Sequence, residues 1–203
     1  MKRLFLLVCV ALLFSVPATA QQAPKTEVFG GYSYFHPDGG GGLHGWNGSV
    51  DVSLNKWLGV VADISGHYGS SSTNVSTAIL GLPDLSVKAS SDSNVHTILV
   101  GPQASYRKDE RLTPFGHALF GLARFHERGT ATTSGPVLGT TSFSFSDSNT
   151  GFAMGLGGGL DVKVTRSVAL RLIQADYLMT RLNGGTQNNA RISVGFVFRF
   201  GAK

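Results

Sequence analysis

The sequence predicts an all-β chain, an eight-stranded antiparallel transmembrane β-barrel, and three observations carry that prediction. The chain opens on an export signal, its strands alternate apolar with polar residues, and its short and long connections take turns. The alternation is plainest in the last strand, 190–200, read A-R-I-S-V-G-F-V-F-R-F. There Ile192, Val194, Phe196, Phe198 and Phe200 hold every second position, with Arg191, Ser193, Gly195 and Arg199 between them. An apolar face of that bulk on an exported chain points to lipid rather than to a second sheet.

Residues 1–20 read as a secretory signal peptide. Lys2 and Arg3 precede an apolar run over 4–16, and Ala18-Thr19-Ala20 supplies the small residues for a cut between Ala20 and Gln21. The run is too short to cross a bilayer as a helix, which takes about 20 residues. Cys9 follows Val8 in mid-run, away from the position a lipoprotein acceptor would hold. It leaves with the signal, so the mature chain has neither disulfide nor thiol chemistry. The signal takes two of the 17 Lys and Arg and none of the 12 Asp and Glu, leaving a formal charge of +3. No basic run of the kind that binds nucleic acid is present. About 180 mature residues make one domain. Only 14% of the residues are charged, against about 25% in soluble domains. The organisation is a signal at 1–20, a periplasmic segment at 21–26, the barrel at 27–200 and a tail at 201–203.

The strands fall at 27–36, 44–54, 57–68, 95–106, 114–126, 150–164, 168–178 and 190–200. Each is close to, or slightly longer than, the roughly 9–11 residues of a tilted spanning strand. Between them 55–56, 107–113 and 165–167 are short, while 36–43, 69–94, 127–149 and 179–189 are long and rich in Gly, Ser, Thr and Asn. An even strand count puts both termini beside the short turns, the periplasmic side of an outer-membrane barrel, with the long loops outside.

Three further strands fix the facing. Trp46, Gly48, Val50, Val52 and Leu54 oppose Asn47, Ser49, Asp51 and Ser53; Leu58, Val60, Ala62 and Ile64 oppose Gly59, Asp63, Ser65 and His67. Phe152, Met154, Leu156, Leu160 and Val162 oppose Ala153, Gly155, Gly157, Asp161 and Lys163. In the seventh strand, a bulge between Leu172 and Gln174 brings Arg171, Gln174 and Asp176 all inward. In the fifth, His117 and Arg124 fall on opposite faces and leave the strand unphased. Aromatic residues form two girdles, Tyr34, Trp46, Tyr68, Phe152 and Tyr177 at the outer rim and Trp57, Tyr106, Phe115 and Phe198 at the periplasmic one.

With its signal peptide, strand rhythm, the stretch A-L-R-L-I-Q-A-D-Y at 169–177 and an aromatic final strand, the chain resembles the small eight-stranded outer-membrane barrels of Gram-negative bacteria. That family contains the outer membrane protein A transmembrane domain and the opacity-type proteins, and the resemblance covers 27–200. It implies an architecture rather than an activity. Two departures stand out: Phe200 is followed by Gly201-Ala202-Lys203, where the family's assembly signal ends on an aromatic, and no peptidoglycan-binding domain follows the barrel.

The inward set Asp51, Asp63, Asp161, Lys163, Arg171, Arg191 and Arg199 is nearly balanced in sign. An eight-stranded barrel is just wide enough for its side chains to fill, so these charges are expected to pair and plug the lumen. The competing reading is a narrow porin lined by charge. His36, His44, His67, His96, His117 and His126 lack ligand-like spacing, so no metal or cofactor is expected. Gly155-Leu156-Gly157-Gly158-Gly159 lacks the Lys-Ser/Thr of a phosphate loop. Ser65 and His67, two residues apart on one strand, make no nucleophile and base by themselves, and no catalysis is expected.

Function then falls to the loops. Alternation at Thr73, Val75, Thr77 and Ile79 and at Leu85, Val87 and Ala89 suggests a projecting hairpin in 69–94. Phe143 and Phe145, opposite Thr130 to Thr133, hint at a second in 127–149, whose edges would suit strand addition by a partner. The expected partners are membrane lipid, outer-leaflet glycolipid and the barrel-insertion machinery, with the barrel a monomer. The functional expectation is a surface or envelope-structural protein, with a porin and an adhesin as alternatives. A soluble barrel of the lipocalin kind would need an apolar interior where the second and sixth strands place polar residues.

Overall fold

The computed structural model describes residues 25–77, 85–107, 109, 111–135, 139–182 and 184–201. The expected signal peptide, its cut at Ala20 and Gln21, and the end of the tail lie outside the described residues. Eight strands form the molecule: β1 Thr26–His36, β2 Leu43–Ser53, β3 Leu58–Thr77, β4 Leu85–Ser105, β5 Leu112–Gly135, β6 Gly139–Lys163, β7 Val168–Leu182 and β8 Gly185–Phe200. Each pairs antiparallel with its neighbour, and β8 returns to β1 to close the barrel. Closure leaves no open edge in the spanning region, where lipid cannot satisfy a bare backbone.

The short turns share one local device. Asn55 Oδ1 accepts from the N–H groups of Trp57 (2.9 Å) and Leu58 (2.8 Å). Thr165 Oγ1 accepts from Ser167 (3.3 Å) and Val168 (3.0 Å). Asp109 Oδ1 accepts from Arg111 (2.7 Å) and Leu112 (3.2 Å). In each, a side-chain oxygen takes the donors that the returning strand would otherwise leave unpaired. Those two N–H groups, Arg111's above all, hold the exposed Asp109 carboxyl below the usual carboxylate range.

At the other end the strands run past the bounds expected from the sequence, into the two projecting hairpins that its alternation suggested. The connections over 69–94 and 127–149 are largely ladder: β3 and β4 pair as far as Thr77 and Leu85, β4 and β5 to Ser86 and Ser134, β5 and β6 to Gly135 and Gly139. Even 179–189 is mostly strand, since β7 and β8 pair to Leu182 and Gly185. The barrel therefore has two heights. β1, β2, β7 and β8 stop near the aromatic rim, while β3 to β6 continue as a four-stranded wall. Among the described residues the last β2–β3 pair is His44 with Tyr68 and the last β6–β7 pair is Phe152 with Arg181. The wall thus has two free edges, β3 over 69–77 and β6 over 139–151, the second roughly 40 Å of strand at about 3.3 Å per residue.

The alternation of burial along the strands separates the two faces. The final strand's Ile192, Val194, Phe196, Phe198 and Phe200 are exposed on the outside, as are Val50, Val52, Ile64, Ile98, Val100 and Leu156. The register shifts between Arg171 and Gln174 on the β8 side. Leu172 and Ile173 both face out there, while Arg171, Gln174 and Asp176 are buried inside. β5 keeps its register with β4 and β6 without a shift, so that His117 lies inside and Arg124 outside.

Candidate functional site

Two places combine unusual geometry with chemistry: the lumen and the wall. In the lumen, the tier nearest the turns is polar. Glu27 of β1 sits between two guanidinium groups, with Arg107 Nη2 at 2.8 Å and Arg199 Nε at 2.8 Å. Asp51 accepts from Gln103 Nε2 and, among the described residues, forms no ion pair.

Above it lies a continuous network. Arg171 grips Asp161 in a fork, Nε to Oδ1 at 2.8 Å and Nη2 to Oδ2 at 3.1 Å, and donates to Gln174 at 2.6 Å. Its guanidinium is sandwiched between the rings of Phe29 (4.3 Å) and Phe115 (4.2 Å), an arrangement that favours the cation over the faces of both rings. Gln174 Nε2 donates to Asp176 at 2.8 Å. Asp176 also meets His117 Nε2 at 2.7 Å and accepts from Arg191 Nε at 2.9 Å. Arg191, wholly buried, reaches across the lumen to Asp63 Oδ1 at 2.7 Å. Asn47 Nδ2 supplies Asp63's other oxygen at 2.8 Å. Gly157 is part of this packing, because a Cβ there would collide with the Asp176 carboxylate.

The next tier is made of hydroxyls and one imidazole. Ser65 pairs with Thr97 (2.7 Å), His67 Nε2 with Ser33 (2.8 Å) and Ser33 with Ser193 (2.9 Å). Ser65 and His67 thus have separate partners. An apolar cluster completes the filling of the bore, from Val61 on the turn side to Phe35, Leu43, Val95, Leu99, Leu119, Ala123, Ala153 and Leu178 toward the hairpin end, with Phe125 against it. This tier was not foreseen from the sequence. In its strands the outward residues are apolar as well, as in Ile98-Leu99-Val100 and Leu119-Phe120, so the alternation that marks a facing vanishes.

Of the seven inward charges expected from the sequence, Asp63, Asp161, Arg171, Arg191 and Arg199 are paired inside. Lys163 is corrected: it lies exposed at the mouth beside the turns, and among the described residues it has no ion pair. Phe115 is a second correction, since it packs inward on Arg171 rather than in a girdle. Trp46, Tyr68, Phe152 and Tyr177 are exposed toward the hairpin end, Tyr34 is half-buried among them, and Trp57, Tyr106 and Phe198 are exposed toward the turns. Sequence reading missed Glu27, Gln103, Arg107 and His117 as lumen groups. The T-E-V-F alternation at 26–29 was the available signal for Glu27.

On the wall, the face continuous with the lumen carries Phe143 and Phe145 on β6, 67% and 46% exposed. Phe145 lies over Gly129, where a Cβ would strike the ring. The opposite face is polar and continuous with the lipid-facing surface of the barrel.

Nothing among curated proteins matches the chain. Solved structures do. The attachment invasion locus protein Ail of Yersinia pestis, crystallised with the heparin analogue sucrose octasulfate, matches with a TM-score of 0.50 at 18% identity, covering 85% of this chain and 97% of that one. Neisserial surface protein A matches with a TM-score of 0.46 at 13% identity, over 89% and 100% of the two chains. The outer membrane protein OprG of Pseudomonas aeruginosa matches with a TM-score of 0.46 at 13% identity, over 92% and 100%. The model of the outer membrane protein β-barrel domain matches residues 6–200. The chain belongs to the outer membrane protein β-barrel domain family.

Proposed function

We propose that this protein is a non-enzymatic, non-conducting surface protein of the Gram-negative outer membrane, anchored by its belt and acting through its wall. The observation that carries the reading is the double closure of the lumen. A pore needs a continuous wet path, whereas here Arg191, Asp63 and Asp176 bridge the bore below and Phe35, Leu99, Leu119 and Leu178 fill it above. The termini and short turns face the periplasm and the wall faces outward, as the alternation of short turns and long hairpins favours in such barrels. The barrel needs no second copy to complete its sheet, which supports a monomer.

Planar-bilayer recording of the refolded protein tests the closure: a silent bilayer is expected, and discrete current steps would reject it in favour of a narrow porin. A second reading, an adhesin, is favoured by one observation. β6 over 139–151 offers a free ladder edge beside exposed Phe143 and Phe145, the geometry by which an extended partner segment adds a strand. Deleting 130–145, which removes most of that edge with both phenylalanines, should abolish surface binding while the barrel still inserts; unchanged binding would reject the adhesin.

A further inference from the structure

We infer that the lipid-side face at the base of the wall is a binding site for the phosphorylated headgroup of an outer-leaflet glycolipid. Three consecutive outward positions of β5 carry Arg124, His126 and Arg128. By register Arg124 shares its row with Trp46, through Gly66 and His96, and His126 shares its row with Tyr68, so the three begin where these aromatics and Phe152 end the apolar belt. β4 adds His96 beside Arg124, Asn94 beside His126 and Asp92 beside Arg128, and β3 adds Tyr68 and Ser70. Tyr68, Gly69, Ser70, Asp92, Asn94, His126 and Arg128 line one shallow concavity there.

Its chemistry is specific. Among the described residues the side chains of Arg124 and Arg128 have no ion pair or hydrogen bond, although Asp92 stands opposite Arg128, so both guanidinium groups are available to an anion. A guanidinium fork matches phosphate oxygens with two parallel hydrogen bonds. Along the strand the two arginines are roughly 13 Å apart at about 3.3 Å per residue, with His126 between them. The remaining groups, the hydroxyls of Tyr68 and Ser70, the amide of Asn94 and the carboxylate of Asp92, are suited to sugar hydroxyls. Tyr68 Oη meets His96 Nε2 at 3.2 Å, and His126 Nδ1 meets Ser148 Oγ at 2.5 Å, so the two rings are already held in place. Height selects the ligand class: just above an aromatic belt, on the face that meets lipid, the neighbours are headgroups.

The site rests on the reading that the wall faces outward, but its test does not. The protein is refolded into nanodiscs containing diphosphorylated lipid A or its dephosphorylated form, lipid present in both leaflets, and the temperature of the heat-dependent gel shift is followed. Wild type should unfold at a higher temperature with the phosphorylated lipid and retain it through purification. R124S/R128S should lose that upward shift and retain about tenfold less lipid, as expected for losing charge-assisted contacts. K88S/K163S, which removes two positive charges elsewhere, should keep it. An equal response in all three proteins overturns the assignment. Recovery of the shift by inorganic phosphate in the dephosphorylated discs also overturns it, because the site would then read a free anion rather than a lipid.

Discussion

Below the aromatic rim every strand has one face in lipid and the other in a packed lumen; above it β3 to β6 keep the same ladders with both faces in water. The backbone does the same thing in both halves. What differs is that below the rim Arg191, Asp63, Asp176 and Leu119 are at most 4% exposed, whereas Phe143 and Phe145, the bulkiest groups of the wall's inner face, are 67% and 46% exposed. Pairing extends a strand, and burial holds it. Stability should therefore reside almost entirely below the rim.

The sharpest way to break that comparison is Arg191→Met. It withdraws the one cation between Asp63 and Asp176 and leaves two buried carboxylates facing each other, at a cost of about 3–5 kcal/mol. Urea titration in vesicles, followed by the gel shift, should show the loss as a lower midpoint. Deleting 70–92 should leave that midpoint nearly where it is, and a comparable loss from the deletion would overturn the division.

Packing gives a smaller contrast. Leu119→Ala opens a cavity in the apolar tier, at about 2–4 kcal/mol. Phe143→Ala on the wall should stay within about 0.5 kcal/mol, the usual range for surface substitutions. Similar values for the two would mean that the wall's apolar strip is packed on something in the folded protein.

Within the lumen the same logic separates two aspartates that the sequence treats alike. Asp63 is ion-paired to Arg191, while Asp51 only accepts from Gln103. Asp51→Asn keeps an acceptor for that donor and removes a buried charge, so the midpoint should move by about 1 kcal/mol or less. Asp63→Asn breaks an ion pair and should cost more. Equal losses would show that the charge on Asp51 is compensated through Glu27's neighbours, Arg107 and Arg199.

How far the sequence could be read follows the same boundary. The spanning strands were legible because lipid on one side and charge on the other make a period of two visible, as at Val50, Asp51 and Val52. The β7 bulge was legible because Arg171 and Asp176 could not otherwise share the lumen. The wall was legible only in fragments, at Val75, Val87 and Phe143, since a strand wet on both faces has no obligatory pattern. Its Ser and Thr therefore read as loop. The apolar tier was hidden for the opposite reason, apolar residues on both faces. Lys163 has the parity of a lumen residue but lies at the mouth, and parity alone does not report depth.

The smallest effect lies in the turns, where three equivalent devices differ in one respect. Asn55 and Thr165 are neutral, whereas Asp109 works through a carboxylate whose ionised form accepts from Arg111 and Leu112. Its folded-state pKa is depressed, so its contribution is fully present above the unfolded value of about 3.9 and fades as the pH falls through the folded value. Asp109→Asn keeps the accepting oxygen and removes the titration. The gap in urea midpoint between D109N and wild type at neutral pH should therefore change as the buffer is acidified through that range. D109A, with no acceptor, should be the weaker protein at neutral pH and approach wild type in acid. The reciprocal change, Asn55→Asp, should give the β2–β3 turn the same acid sensitivity. A midpoint in N55D that tracks wild type at every pH would mean that the ladder, rather than the accepting oxygen, holds these turns.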